Sequence, residues 1–300
     1  MNLLNNYLKS TFGTKVYKLA LSCSSSCPNR DGKIGVGGCI FCSNKGSGNF
    51  AANILDPISI QIEKAKERVI DKAGENAKYI AYFQSFSSTY APIDHLKTAF
   101  YEAINHNDIV AISIATRPDC LGDEVLNTLN ELNKIKPVWV ELGFQTSNEN
   151  TARYIRRGYE NSVYEQAVKR LKEIGITVIT HMIIGLPNED KNDIINTARY
   201  IADNGSEGVK FHLLHILKGT DLEKEYNSGN LILPTLEEYA EILAECIKNI
   251  SPNMIIHRLT GDGDKKELIA PLWSANKKKV LNYINKYFKE INLIQGEHYK

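Results

Sequence analysis

Apolar, β-branched-rich runs alternate along this chain with stretches whose apolar positions recur every three to four residues. The period-two and uniformly apolar runs predict strands at 16–21, 78–83, 109–115, 138–142, 177–184 and 209–214. Helical spacing is clearest at 57–71, where Ile58, Ile62, Ala65 and Val69 share one face and Lys64, Lys66, Glu67 and Arg68 fill the rest. Pro57 suits the first turn of that helix, with Asp56 as its expected cap. Further helices are predicted at 93–105, 121–134, 162–174 (closed by Gly175), 191–204 (followed by Gly205) and 235–250. Six strand–helix units in succession imply a parallel sheet with right-handed crossovers. An open doubly wound sheet, an eight-unit barrel and a partial (β/α)6 barrel all share that pattern, but six units are too few for the eight-fold closure. The fold class is therefore α/β, as a partial (β/α)6 TIM-like barrel. A core spanning 1–255 is expected, with a C-terminal extension at 256–300 packed on it.

In parallel α/β folds ligands bind beyond the carboxyl ends of the strands. The polar motifs of this chain fall there. A cysteine-bearing loop follows the first strand, Gln84 the second, Thr116-Arg117-Pro118-Asp119 the third, Gly143-Phe144-Gln145-Thr146 the fourth and Gly185-Leu186-Pro187 the fifth.

Composition changes this picture little. The 300 residues are 43% hydrophobic and 24% charged with a net charge of +1, which suits one large domain and gives no global case for nucleic-acid binding. No apolar run approaches the roughly 20 residues of a membrane span, and no signal peptide is visible, so a cytoplasmic location is expected. The segment from His257 onward differs. It carries nine Lys/Arg against five Asp/Glu, with Trp273, Tyr283, Tyr287, Phe288 and Tyr299 interleaved. Such a mixture suits RNA phosphates and bases, or a solvated helix that caps the barrel bottom.

The cysteines carry most of the chemistry. Cys27, Cys39 and Cys42 cluster, with glycines at 32, 35, 37 and 38 between the first two. Three thiolates can hold three corners of a cubane iron–sulfur cluster, and the fourth iron is then open to a ligand. Zinc is the rival, since structural zinc takes four N/S donors. Against it, the chain has no second Cys-x-x-Cys and no His-x-x-x-His, whereas the glycines can wrap a bulky cluster. Cys23 is a nearby spectator thiol or a fourth ligand; Cys120 and Cys246 read as small buried apolar residues.

These residues resemble the radical S-adenosylmethionine (SAM) superfamily, and within it a bacterial branch related to the elongator catalytic subunit. The superfamily's common Cys-x3-Cys-x2-Cys is replaced here by Cys-x11-Cys-x2-Cys, a departure shared by that branch. The same branch is visible in Cys27-Pro28-Asn29-Arg30-Asp31-Gly32, Gly46-Ser47-Gly48, Tyr82-Phe83-Gln84, Glu141-Leu142-Gly143-Phe144-Gln145-Thr146, His181-Met182-Ile183-Ile184-Gly185-Leu186-Pro187, Lys210-Phe211-His212-Leu213-Leu214-His215 and His257-Arg258-Leu259-Thr260-Gly261-Asp262. The resemblance runs from about residue 15 to 285.

It implies a [4Fe–4S] cluster on Cys27, Cys39 and Cys42, whose open iron chelates SAM. One electron, from a donor such as flavodoxin or ferredoxin, cleaves SAM to methionine and a 5′-deoxyadenosyl radical that abstracts a substrate hydrogen. It further implies that Phe41 lies near the adenine or the cluster and that Gln84 contacts the methionine amino group. Glu141 and Gln145 become ribose or methionine contacts, although Glu141 can instead be paired within the barrel. Arg156 and Arg157 become partners for the SAM carboxylate, or a solvent-facing pair. Ile184 and Gly185 lie along the adenine through backbone contacts, or simply end a strand. His181, His212, His215, His257 and Asp262 are candidates to touch substrate, and Tyr90 has no assigned role. Relatives near the elongator subunit act on the C5 side chain of wobble uridine in tRNA. The implied step is conversion of a carboxymethylaminomethyl group toward aminomethyl. No segment resembles the elongator acetyltransferase domain, so the elongator reaction itself is not expected. The alternatives are a radical SAM enzyme acting on a small metabolite or protein side chain, and a zinc- or cluster-binding module without catalysis.

Overall fold

The computed structural model describes residues 1–43, 46, 51–74 and 76–300. Its strands are β1 (Val16–Leu21), β2 (Lys78–Phe83), β3 (Ile109–Thr116), β4 (Val138–Gln145), β5 (Thr177–Ile184), β6 (Gly208–Leu213), β7 (Ile216–Leu217), β8 (Ile255–Arg258) and β9 (Leu268–Ala270). Strands β1 to β6 and then β8 form one seven-stranded sheet in chain order, and every neighbouring pair is parallel. β7 leaves the sheet and pairs antiparallel with β9. The sheet thus carries one strand more than the six units read from the sequence. That strand straddles position 255, where the C-terminal extension was expected to begin. It is short and bears the polar pair His257 and Arg258, so it lacks an apolar signal. The edge strands β1 and β8 do not pair, which leaves a half-barrel.

The helices are α1 (Leu4–Phe12), α2 (Ile58–Glu67), α3 (Ile70–Ala73), α4 (Ile93–Asn105), α5 (Asp123–Asn133), α6 (Glu149–Tyr154), α7 (Asn161–Glu173), α8 (Lys191–Asp203), α9 (Asp221–Asn227), α10 (Leu236–Lys248) and α11 (Lys277–Glu290). The predicted helix at 57–71 breaks after Glu67 into α2 and α3, and Asp56 does not cap it. Pro57 occupies the N-cap position, and the Asp56 carboxylate pairs with Lys64 at 2.9 Å. The helices at 191 and 235 do open on side-chain caps. Asp190 and Thr235 accept from the third backbone N–H of α8 and α10, and Asp193 and Glu238 return the bond.

Two of the three apolar clusters among the described residues pack on the two faces of the sheet. The outer one joins the sheet to its helices and includes Phe83, Phe100, Leu129, Phe144, Tyr164, Phe211 and Tyr239. The inner one is built around α1, whose Leu8 packs with the inward-facing Ile80, Ala111, Trp139 and Ile179. The barrel bottom is therefore plugged by the N-terminal helix. α11 lies outside, burying Val280, Ile284 and Phe288 against the outer layer. Trp273, Tyr283, Tyr287 and Tyr299 pack on that layer too, and Trp273 Nε1 donates to the Pro234 carbonyl at 3.1 Å. The aromatics of the C-terminal segment are thus largely committed to the core. Among the described residues no helix is long and apolar enough to cross a membrane.

Candidate active site

The loop after β1 folds on itself before it presents its thiols. Ile34 N donates to the Pro28 carbonyl at 2.9 Å, Gly38 N to the Asn29 carbonyl at 2.8 Å and Cys42 N to the Cys39 carbonyl at 3.0 Å. Arg30 reaches forward to the carbonyls of Cys42 and Ser43, at 3.2 and 2.6 Å. Asn29 Nδ2 ties the loop to the Arg156 carbonyl. That contact requires Gly158, which has φ +81° and would set a Cβ 2.8 Å from Asn29 Oδ1. The Gly46-Ser47-Gly48 motif lies mostly outside the described residues; Gly46 itself sits on the cavity wall.

Cys27, Cys39 and Cys42 line one end of a cavity at the carboxyl ends of the strands, each half-buried. Burial pushes the Cys39 thiol up to about 11, with the neighbouring Cys42 and Cys27 adding to the effect. Cys42 is raised as well, chiefly by burial. Thiols raised in this way become thiolates together only against a strong local cation. Among the described residues, their sulfurs do not all lie within 4.8 Å of one another, so they do not close on a single ion. Cys23 cannot join them as placed. It is 2% exposed, donates to the Ser88 carbonyl at 3.3 Å and is pushed up to about 12 by burial. Three spread thiols with no fourth at the site fit a cubane cluster with one open iron better than tetrahedral zinc. Cys120 and Cys246 are buried, as expected.

Phe41, Gln84, Glu141, Gln145 and Arg157 also line this cavity. Gln145 adopts φ +74°, where a side chain is strained, at a register shift between β4 and β5. The two arginines part company. Arg156 points outward and pairs with Asp221 at 2.7 Å; only its carbonyl faces the cysteine loop. Arg157 is 2% exposed and all its donors are spent on the chain itself. They serve the carbonyls of Phe144, Thr146 and Tyr159 and the side chains of Asn161 and Glu149. It braces the β4–α7 connection. Neither the expected solvent-facing pair nor a pair of open guanidinium forks is present. Ile184 ends β5 and Gly185 follows it against Pro234 and Leu214; neither is on the cavity wall.

Beneath the cavity lies a charge network that the alternation of strands hides in sequence. Glu141 is fully buried. Its Oε1 accepts from Lys18 Nζ and Ser113 Oγ, both at 2.6 Å, and its Oε2 from Lys210 Nζ and from His181 Nε2 at 2.7 Å. Burial alone would raise this carboxyl, but Lys18 and Lys210, with His181, outweigh it and hold the group well below the usual carboxylate range. Of the two expectations for Glu141, pairing within the barrel is the one observed. His181 is pushed down to about 4, by burial first and Lys210 next, against the pull of Glu141.

The histidines divide. His181 and His212 line the cavity with ring centroids 5.0 Å apart. Among the described residues the buried His212 Nε2 has no hydrogen-bond partner, and burial holds that ring neutral at pH 7. His215 sits behind His212 against Gly261 and Gly263, and His257 packs edge-on to Trp139 lower in the barrel. Neither is on the cavity wall, nor is Asp262, which pairs with Lys277 at 2.6 Å. Tyr90 donates to Asp31 at 2.6 Å. The motifs contain Tyr82, Arg117 and Arg258 but assign them no role; all three line the cavity, as do Phe86 and Tyr159, which lie outside every motif. The signal available for the network was a charged residue inside an otherwise apolar strand: Lys18 in β1, Glu141 in β4 and Lys210 in β6.

The radical SAM superfamily model matches residues 24–201, and the radical SAM C-terminal domain model matches 206–290. YtqA of Bacillus subtilis (strain 168) is 44% identical over 297 residues, 99% of this chain and 92% of that protein. A Methanocaldococcus jannaschii protein named tRNA uridine(34) acetyltransferase is 28% identical over 149 residues, 49% of this chain and 27% of its own length. Among solved structures, the Methanocaldococcus infernus Elp3 with an N-terminal deletion superposes with a TM-score of 0.67 at 17% identity. The match covers 93% of this chain and 64% of that one.

Proposed function

Because the chain belongs to the radical SAM superfamily, we propose that it is the radical SAM enzyme that converts a carboxymethylaminomethyl group at C5 of the tRNA wobble uridine to aminomethyl. The [4Fe–4S] cluster and SAM of the family supply, when bound, a one-electron route to hydrogen abstraction. In this reading Cys27, Cys39 and Cys42 hold the cluster, and Phe41, Gln84 and Gln145 bound the space for SAM. Flavodoxin or ferredoxin delivers the electron in the cytoplasm.

The observation that carries the substrate assignment is the wall made by Arg258 and His212. The cysteines follow the edge strand β1, while Arg258 ends the opposite edge strand β8; both reach the same cavity. An arginine there suits a substrate carboxylate, which a carboxymethylaminomethyl group has and its product lacks. The neutral His212 beside it, whose Nε2 has no partner among the described residues, can accept or donate one hydrogen bond to the substrate amine or uracil edge. The partial likeness to a protein whose name specifies tRNA uridine 34 supports the same reading.

The test is a mass-spectrometric inventory of tRNA nucleosides from cells with and without the gene, complemented with wild type or Cys42→Ala. The carboxymethylaminomethyl nucleoside should accumulate without the gene and be consumed again only with wild type. Identical profiles would remove tRNA as the substrate and direct the search to metabolites and peptides.

A further inference from the structure

Beside the cavity lies a second concavity, between residues 262–266 and the start of α11. Lys265 and Lys266 line one side and Lys277 and Lys278 the other; Asp262 and Asp264 are the acids in its lining. Both acids are engaged within the protein. Asp264 Oδ1 accepts from Lys266 N at 3.0 Å, and Asp262 accepts from Lys277 Nζ at 2.6 Å. Asp262 also lies 3.9 Å from Arg258 Nη2, so the concavity and the cavity wall meet at one side chain. The lysines left over, Lys265, Lys266 and Lys278, are all exposed.

Resting on the tRNA reading above, we infer that this groove seats the phosphodiester backbone of the RNA whose reacting nucleotide enters the adjoining cavity. Its lining is Lys, Asp, Gly, Ser, Ala and Asn, with no large apolar side chain. A protein partner needs an apolar centre to its interface, which this groove lacks. A polyanionic backbone needs only cations arranged along it. The aromatics of the same segment pack on the core, so the contact is to phosphates rather than to stacked bases and is independent of sequence.

The test is filter binding of unfractionated tRNA to the reconstituted holoenzyme between 50 and 200 mM KCl. Wild type is compared with Lys265→Ala/Lys266→Ala/Lys278→Ala and with the corresponding triple arginine variant. The alanine variant should bind roughly tenfold more weakly, and its slope of log affinity on log salt should be shallower by roughly 2 to 3, about 0.9 per lost phosphate contact. The arginine variant should match wild type. RNA-independent cleavage of SAM should be equal in all three, which certifies the fold. Equal slopes for wild type and the alanine variant overturn the inference. So does absence of tRNA binding by wild type, or a loss confined to flavodoxin binding, which would hand the groove to an acidic protein. Salt-sensitive, lysine-dependent binding with unchanged cellular nucleosides would fail the reaction assignment and keep the groove; the converse result would do the opposite.

Discussion

Glu141→Gln removes a charge that two lysines share. Gln retains the shape of Glu and one acceptor oxygen, so packing is preserved. The other oxygen is replaced by an NH2 that faces donors: Lys18 and Ser113 on one side, or Lys210 and His181 on the other. Lys210 is 4% exposed and Lys18 18% exposed, so neither is rehydrated at once. Removing one partner of a buried ion pair costs about 3–5 kcal/mol. Each buried donor left without an acceptor costs about 1–3 kcal/mol, which gives the same order. The assay is anaerobic urea unfolding followed by tryptophan fluorescence, since Trp139 lies 5.4 Å from Lys18 Nζ. The variant should unfold at a distinctly lower midpoint with the slope unchanged. Adding Lys210→Met should recover part of the loss, because it withdraws the cation that Glu141 neutralised. The carboxyl titrates well below its ordinary 4.5, so the wild-type advantage is complete above that pH and is lost as pH falls through the lower folded value. A destabilisation below about 1 kcal/mol at neutral pH, or no recovery in the double variant, would refute the network as the support of the cavity floor.

Cys42→Ala should abolish iron retention and SAM cleavage, whereas Cys23→Ala should keep iron content and cost only about 1–2 kcal/mol of core packing; equal iron loss in both would make Cys23 a ligand. His181, with a folded value near 4 against 6.5 unfolded, binds fewer protons folded than unfolded in that window, so native stability should fall by roughly 3 kcal/mol as pH drops from 6.5 to 4. His181→Gln should flatten that part of the profile, as read from urea midpoints against pH. Gly158→Ala puts a methyl 2.8 Å from Asn29 Oδ1 at φ +81°, so it should cost about 1–3 kcal/mol and lower reconstituted iron content by loosening the cysteine loop. An unchanged iron stoichiometry would show that the loop holds its thiols without the Asn29 tether.

Order along the chain was enough for much of this protein. The alternation of apolar runs with helical spacing specified a parallel sheet in chain order, because short right-handed crossovers leave few other arrangements. It also located the ligand end, because the cysteines and Gln84 follow strand ends, and Gln145 closes one, in every topology that pattern permits. Three clustered thiols pointed to their own chemistry, since few groups other than a metal centre use them together. Tertiary structure decided what one-dimensional spacing cannot carry. Lys18, Ser113, Glu141, His181 and Lys210 come from five different strands and meet only because parallel register stacks their inward faces. Arg156 and Arg157 are neighbours in sequence, yet one is solvated and the other buried, because φ +57° at Arg156 turns the chain between them. α1 plugs the half-barrel and α11 does not, a choice set by which apolar face fits Trp139 and Ile80 rather than by composition. Arg258 became part of the site only when the sheet gained its seventh strand, and a four-residue strand with two polar positions has too little apolar pattern to be seen before the sheet is assembled around it.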